Sequence, residues 1–400
     1  MKNIAIIGGG IIGMLSALVA SKYDYKVIIL DTKKQDSGIL FPERYFSINL
    51  LSKYIFMKHG VWDDLNSKHI YPFNKIVAWD AAASSSVTFN SEIISYDYLG
   101  YILKESEIKR SLLNAIKKNS NITYKKNIKI DSIESKSKNC TLLYNKEKIN
   151  CEILIAADGR SSQIAKMMQI DSKSKHYDQD AMVMNVKFQN NQTLTTSYQR
   201  FNAGDIQGLL PIGKNNYNLI WSMDNSNSQE IFNLDDVKLI KILNNDFSEQ
   251  MGRVCSISQK LKFKLMSTHT MAYTRERVML IGDAAHTVHP LAGLGLNMGI
   301  QDIFLLDLAF SKFLSEKNEI SSDLLDYYEN MCKEKNTKII NTINFLKKFY
   351  ETTLIPSIAK KSLVSLFDNT AILKSKVVQE ATGIQTLNTL LMKNYNQTHY

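Results

Sequence analysis

The apolar positions of this chain alternate between short unbroken runs and helical spacings, and the breaks fall repeatedly on glycine or aspartate. Ile4 to Ile7 has the pattern of a strand buried on both faces. It is followed by Gly8-Gly9-Gly10-Ile11-Ile12-Gly13 and then by helical spacing to about Lys22. Val27 to Leu30 predicts a second strand, which stops on Asp31. Helical spacing predicts one helix over Ile48 to Trp62, ending before Asp63-Asp64, and another over Tyr101 to Ile116. Between them Val77, Trp79, Val87 and Phe89 alternate around the soft turn Ala81 to Ser86, which predicts strands. Residues 122–157 predict hairpins and end in an apolar run that stops on Asp158-Gly159. Ala181 to Leu265 is mostly strand pattern, broken at Gly204-Asp205 and Gly213 to Asn216, with a helical piece near Leu234 to Phe247. Val278 to Ile281 is a last short strand breaking at Gly282-Asp283; a helix follows from about Leu296 through Ile300, Ile303 and Leu306, and the tail from Asp323 is helical. No internal repeat or low-complexity linker interrupts the pattern.

Composition narrows the class without naming a chemistry. The 400 residues, 44% apolar and 10% aromatic, suffice for two or three domains with real cores. The net charge of +10 (49 basic less 39 acidic) comes from lysines scattered through segments such as Lys104 to Lys148. They lack the interleaved aromatics of a nucleic-acid platform, so the reading is a solvated basic surface with some attraction to anionic membrane, and no nucleic-acid partner. Cys140, Cys151, Cys255 and Cys332 form no C-x-x-C pair, which indicates neither a zinc site nor a disulfide framework, and no metal is expected. The apolar run to Ala20 resembles a signal peptide, but three consecutive glycines interrupt it and have a better explanation. A soluble or at most peripheral protein of a reducing compartment is expected.

Three strand ends carry candidate chemistry. At the first, Gly8, Gly10 and Gly13 stand between a strand and a helix, with Asp31 about eighteen residues past Gly13. That context fits a dinucleotide fingerprint: the glycines admit a tight turn, a pyrophosphate and close helix packing, while the acid takes ribose hydroxyls. A glycine-rich turn without a ligand is the plain alternative. The second is Asp158-Gly159. The third is the stretch RVMLIGDAAHTVHPLAGLGLNMGIQD from Arg277 to Asp302, where an acid follows a strand and Gly293 and Gly295 precede a helix whose free amides suit an electron-poor ligand.

Together the Gly-rich loop, the Asp-Gly motif and the Gly-Asp motif resemble those of the class A flavoprotein aromatic hydroxylases, over nearly the whole chain. Within that class GDAAHTVHPLAGLGLN, LGYILKESEIKRSLL (from Leu99), YYENMCKEKNTKII (from Tyr327) and the late Ala381-Thr382-Gly383 pattern are most similar to the ubiquinone-biosynthesis ring hydroxylases. The resemblance implies a mixed α/β fold: a glutathione-reductase-like Rossmann FAD domain from residues 1–70, 98–175 and 270–345, an inserted, mostly antiparallel β-sheet substrate domain from 71–97 and 176–269, and a C-terminal helical segment over 346–400. It also implies that Gly8, Gly10 and Gly13 hold the pyrophosphate, Asp31 the AMP ribose, Asp283 after Gly282 the ribityl chain, and that Arg44 adds a phosphate contact. Backbone amides at Leu296 and Asn297, presented by Gly293 and Gly295, would face the flavin ring, and Asp158-Gly159 would touch both FAD and the route of NAD(P)H.

The implied reaction is NAD(P)H reduction of FAD, addition of O2 to the reduced flavin, and transfer of the distal oxygen to the ring of a polyprenylated phenol. Pro290 would bring its backbone to the substrate hydroxyl. His289 is a candidate for a substrate or proton role, with a locally bonded turn histidine as the alternative for it and for His286. Arg200, Phe201, Leu210, Pro211 and Trp221 are candidates for the substrate wall and equally for core; Met182, Met184 and Met223 read as packing. The expected location is cytoplasmic, with contact to the inner membrane or to a biosynthetic complex left open. Three departures from the family pattern stand out: Lys104-Glu105-Ser106 removes an expected arginine, Ala165 stands where an arginine usually follows the Asp-Gly motif, and Leu294 replaces the usual glutamine. Two rivals stay open: a flavin reductase or halogenase of the same fold, and a catalytically weak scaffold subunit. The scaffold reading rests on those departures and on the basic amphipathic pattern of Pro356 to Val378.

Overall fold

The computed structural model describes residues 2–32, 43–81, 85–189, 194–202, 204–317, 319–352 and 355–388. Part of the predicted turn Ala81 to Ser86, the approach to Arg44, and residues 389–400 of the predicted C-terminal segment lie outside the described residues.

Asn3–Ile7 lies inside a six-stranded sheet, because its apolar side chains are buried on both faces and two parallel neighbours cover its edges. Lys26–Asp31 and then Ile122–Lys126 lie to one side, Ile153–Ala156 and then Val278–Leu280 to the other, all parallel; Thr274–Arg275 closes the edge antiparallel. The helix α1 (Ile11–Ala20) starts at Gly10 with no side-chain cap, which leaves its first amides free to bind something else.

Two predicted helices prove to be strand followed by helix. Ile48 belongs to the strand Tyr45–Asn49, and α2 (Leu50–Lys58) starts where the Asn49 side chain accepts from the Ser52 amide at 2.9 Å. Gly60, at φ +66°, ends that region and leaves Trp62 in a separate short turn. Gly100–Lys104 is likewise a strand, between Tyr45–Asn49 and Ile70–Phe73, and α3 (Glu105–Lys117) takes the rest. The strand is held by pairing on both sides, Tyr101 opposite Ile48 and Pro72, and its buried residues Ile102 and Leu103 enter two different cores. A hairpin places Cys140 directly opposite Cys151, a pairing that sequence distance concealed; both thiols are free and buried.

After α4 (Gln163–Met167) the chain completes a nine-stranded sheet begun by Lys75–Asp80 and Ser85–Asn90, antiparallel except where Thr196–Asn202 pairs in parallel with Lys75–Asp80. One face is covered by α5 (Asn225–Asn233) and α6 (Asp236–Met251), where Leu239, Leu243 and Phe247 pack on Met182, Met184, Trp221 and Met223. The other face looks toward α7 (Leu294–Lys317) and α8 (Ser322–Glu351), with Phe201 and Ile206 meeting Leu291 and Ile343. Leu294–Leu314 is long and apolar enough to cross a membrane, but 72% of that stretch is buried inside the protein, as a core helix would be. Finally α9 (Ser357–Asp368) packs on the edge strand Ser85–Asn90, and α10 (Ala371–Thr382) on the turn Ser91–Ile94.

Candidate functional site

The parallel register sets Ile7 beside Ala156 and Ala156 beside Leu280, so the three predicted strand ends emerge next to one another on one edge. Hydrogen bonds fix them: Gly8 N to Leu30 O at 2.9 Å, Ala157 N to Ile7 O at 2.8 Å, and Ile281 N to Ala156 O at 3.0 Å. Gly8 sits at φ +113°, and a Cβ there would overlap the Ala157 carbonyl, so only glycine lets these two loops meet. A Cβ on Gly13 would overlap the Gly8 carbonyl, which brings α1 tight against the loop. A Cβ on Gly10 would instead meet nothing within 4 Å, so the uncapped N-terminus of α1 opens onto free space. An open cradle of backbone amides at a helix N-terminus fits a pyrophosphate. At the end of the second strand Asp31 accepts from Tyr124 Oη at 3.0 Å, half-exposed beside Gly9.

The second strand end divides its labour. Asp158 Oδ2 accepts from the Gln163 and Ile164 amides at 2.7 and 3.2 Å, so the carboxylate caps α4. Its buried Oδ1 has no partner, and Gly159, at φ +87°, faces open space. Arg160 reaches the Lys264 carbonyl at 3.1 Å. Its charge, with those of His286 and Arg44, favours the ionised form of Asp283; burial outweighs them and holds that carboxyl above its usual value. Asp283 nevertheless keeps an exposed surface. Arg44 lies at the cleft margin, 3.3 Å from Glu105 and stacked near Phe46 and Phe263. The departure at Glu105 therefore has a structural use: it anchors Arg44.

Behind Gly282-Asp283 stands a polar cluster that sequence reading missed. Asp302 Oδ2 accepts from the Gly282 amide at 3.0 Å and lies 2.6 Å from His286 Nε2, while Oδ1 accepts from Asn336 Nδ2 at 2.8 Å. Burial alone would lower the His286 pKa, but the facing Asp302 outweighs it and raises the value above the ordinary one. The available signal was the spacing of Asp302 one helical stripe after Gly299, where Ile12 of α1 wedges between Gly299 and Gly282.

At the start of α7 the side chain of Asn297 does more than its backbone reading suggested. Its Oδ1 accepts from the Asn49 amide at 3.0 Å and Ser52 Oγ at 2.8 Å, and its Nδ2 donates to Ser47 O at 2.8 Å and Gly293 O at 3.1 Å. Gly293, at φ +62°, lies against Ser47, whereas Gly295 faces open space and Leu296 is half-buried. Leu294 joins the apolar cluster of Phe201, Leu291 and Ile343, a contact that glutamine would not make. The Pro290 carbonyl accepts from the Gly293 amide at 3.1 Å. His289 is fully buried; its Nδ1 accepts from the Leu291 amide at 3.3 Å, which leaves the proton on Nε2, and Nε2 has no partner. Burial, with a smaller push from Lys347, drops its pKa to about 3, and its ring meets the edge of Tyr177 at 5.2 Å.

The five substrate-wall candidates separate. Phe201 turns to the α8 side and stacks on Tyr350 at 3.7 Å, and Leu210 lines a neighbouring cluster with Ile212 and Tyr71. Arg200 points the other way, bonded to Asp246 of α6 at 3.0 Å and to Gln207 at 2.9 Å. Trp221 packs under α6 with its Nε1 3.3 Å from Asp205, and Pro211 pairs with Tyr217 on that same face. Strand alternation is the physical reason: Arg200 and Phe201 are adjacent, so only one of them can face the cleft. The α8 residues Ile343 and Tyr350, which close the cleft side, had no signal beyond helical spacing.

The chain matches the family profile described as FAD binding domain over residues 1–342. It is 25% identical to the ubiquinone biosynthesis monooxygenase COQ6 of Dictyostelium discoideum, over 95% of this chain and 91% of that one. It is also 25% identical to the 3-demethoxyubiquinol 3-hydroxylase of Escherichia coli, over 75% of this chain and 77% of that one. Among solved structures, p-nitrophenol 4-monooxygenase from Pseudomonas putida superposes with a TM-score of 0.77 at 15% identity, covering 96% of this chain and 99% of that one. Klebsiella pneumoniae HpxO, complexed with FAD and uric acid, gives 0.72 at 13% identity, covering 95% and 97%. With a matching profile over most of its length and a cradle that fits the cofactor, the chain belongs to the FAD-binding domain family, and its cofactor is FAD.

Proposed function

We propose that this protein is an FAD-dependent monooxygenase that hydroxylates the ring of a polyprenylated phenol in ubiquinone biosynthesis, with NAD(P)H and O2 as co-substrates. The observation that carries the reading is similarity over 75 to 95% of the chain to relatives named for that chemistry, joined to a site whose three strand ends converge on one edge. Bound FAD supplies reduction by NAD(P)H and activation of oxygen.

The protein's share is placement. In this reading the free amides of α1 hold the pyrophosphate, Asp31 the AMP ribose, and Asp283 the ribityl chain, with Arg44 and Arg160 offsetting phosphate charge. The N-terminus of α7, braced by Asn297, sets amides toward the flavin ring, where negative charge accumulates on reduction. Phe201, Leu291, Ile343 and Tyr350 keep water from the ring being hydroxylated. His289, neutral at working pH with an unpaired Nε2–H, donates to the phenol oxygen, and Pro290 fixes the turn that holds it. In the same reading residues 1–70, 98–175 and 270–345 belong to the cofactor domain and 71–97 and 176–269 to the substrate domain, and of the segment from 346 onward the described α9 and α10 are a helical cover. A prenylated substrate resides in a bilayer, so the enzyme works at a membrane surface.

The test is a purified yellow protein that oxidises NAD(P)H faster in the presence of a short-chain phenol and forms hydroxylated product. A colourless protein that takes up no FAD, or a flavoprotein whose oxidation of NAD(P)H no phenol accelerates, overturns the proposal.

A further inference from the structure

The described residues leave a set of large apolar side chains exposed on one part of the molecule, the end of α8 together with α9 and α10. Ile358 is 82% exposed, Ile372 72%, Phe345 68% and Leu366 67%, with Leu363 and Leu373 about half exposed. At 100° per residue, Ile358, Leu363 and Leu366 share one side of α9, opposite buried Lys360 and Val364. Ile372 and Leu373 share the outer side of α10, opposite buried Val378. The inner sides are spoken for: α9 lies on the strand Ser85–Asn90, with Phe367 against Phe89, and α10 on Ser91–Ile94. The outer sides have no cover among the described residues. Large apolar side chains exposed together on two neighbouring helices mark an interaction site in a folded protein.

Charge chooses the occupant. The two helices carry Lys360, Lys361, Lys374 and Lys376 against Asp368 and Glu380. Lys374 pairs with Asp368 at 2.8 Å and Lys360 reaches the Tyr350 carbonyl at 3.2 Å, so these two are drawn inward. Lys361 and Lys376 are exposed, and the same helical arithmetic sets Lys376 between Ile372 and Leu373 on the outer side. Lysines among apolar residues suit a bilayer surface, where the stems lie in the apolar layer and the ammonium groups rise to phosphates. A second copy docking here by two-fold symmetry would bring the same lysines face to face, and the net charge of +10 would oppose it further.

We propose that the outer faces of α9 and α10, with Phe345 at the end of α8, dock this protein on an anionic lipid surface. The patch is tied to the cofactor cleft: the Asn49 amide group donates to the Ala381 carbonyl at 3.1 Å, and the Asn49 backbone amide donates to Asn297 at the start of α7. The idea rests on the proposed prenylated substrate only for its purpose, because docking is measured without any substrate.

The experiment is sedimentation of the FAD-loaded full chain with vesicles of phosphatidylglycerol and phosphatidylcholine in equal parts, and with phosphatidylcholine alone, beside light scattering for oligomeric state. Wild type is expected to bind the anionic vesicles at least about tenfold more than the neutral ones, and to lose most of that preference in high salt. The triple variant Ile358→Ser, Leu366→Ser, Ile372→Ser should bind at least about tenfold less, and Lys361→Glu with Lys376→Glu should lose the anionic preference. Both should keep full flavin content and unchanged NAD(P)H oxidation on a short-chain phenol. Equal sedimentation with both vesicle types, undiminished binding by the triple variant, or a dimer in wild type that the triple variant abolishes would each overturn the proposal. Failure of hydroxylation in all variants alike would count against the proposed reaction and leave the docking result standing.

Discussion

Two histidines three positions apart, His286 and His289, are both buried yet are pushed in opposite directions, and the difference lies in what each faces. His286 faces Asp302, so its folded pKa is raised; the stability it contributes is complete below the unfolded value of about 6.5 and is lost as pH climbs through the folded value. His289 faces apolar groups, Tyr177 and the Lys347 charge, so its pKa falls to about 3; it is neutral when folded, and the unfolded chain takes up a proton first on acidification. Stability should therefore fall from about pH 6.5 toward pH 3 on its account, by up to about 1.4 kcal/mol per pH unit. His289→Gln should flatten that acid limb in urea midpoints measured across the range, and should slow product formation with little change in FAD content. An acid limb as steep as wild type would show that the ring is not buried neutral. Asp302→Asn tests the neighbour. It leaves His286 without its counter-charge and weakens the hold on the Gly282 amide, so FAD should bind about tenfold more weakly, as fluorescence titration would measure, and His286 should be neutral at pH 7 by imidazole NMR. Unchanged FAD affinity would mean that the cluster braces the core and has no bearing on Asp283.

Helices and strands meet at this site through short polar links, and Asn297 is the clearest case. One amide group bonds Ser47, Asn49, Ser52 and Gly293, so the start of α7, the strand Tyr45–Asn49 and the start of α2 move as one piece. Asn297→Ala should cost about 2 to 4 kcal/mol, from buried donors and acceptors left unpaired, and should weaken FAD more than an equally destabilising change in the α6 face of the large sheet. Comparing Asn297→Ala with Leu243→Ala at matched stability checks this; equal flavin loss would make Asn297 a stability residue only. The strand ends are legible in the sequence, because a buried parallel strand is an unbroken apolar run and its exit needs glycine; Gly8, Gly159 and Gly282 all stand at positive φ. It hid the strand Gly100–Lys104, whose three consecutive buried residues, Tyr101, Ile102 and Leu103, show no alternation and run straight into the helical spacing of α3. It also could not say which of Arg200 and Phe201 faces the cleft, since alternation fixes that one does and tertiary packing decides which. The Asp-Gly motif marks Asp158 as a cofactor contact, and the structure adds what the motif does not carry, that its Oδ2 caps α4 while Oδ1 stays without a partner.

At the scale of the whole molecule, the cofactor cleft is assembled from segments with no sequence proximity: Gly8 to Gly13, Arg44, Asp158 to Arg160, and Gly282 to Asn297. Each segment contributes exposed amides or charge that the protein itself leaves open, namely the free N-terminus of α1, the open faces of Gly10, Gly159 and Gly295, and the cleft side of Asp283. A ligand that spans all four therefore binds the folded state and has nothing to bind in the unfolded one. Mass action then sets the size of the effect: FAD held at about 100 times its dissociation constant should stabilise the fold by about 2.7 kcal/mol. For a chain of this length that corresponds to a rise in Tm of about 3 °C, because the unfolding entropy grows with size. Gly8→Ala, which drives a Cβ into the Ala157 carbonyl, should abolish the rise, and so should Asp283→Ala if the acid holds the ribityl chain. Scanning calorimetry of flavin-free protein with and without added FAD reads this directly. Adenosine diphosphate in place of FAD should give a smaller rise that Gly8→Ala removes and Asp283→Ala leaves intact, since that ligand reaches the α1 end alone. An equal loss in both variants with adenosine diphosphate would place Asp283 in the framework of the fold and not on the ribityl chain.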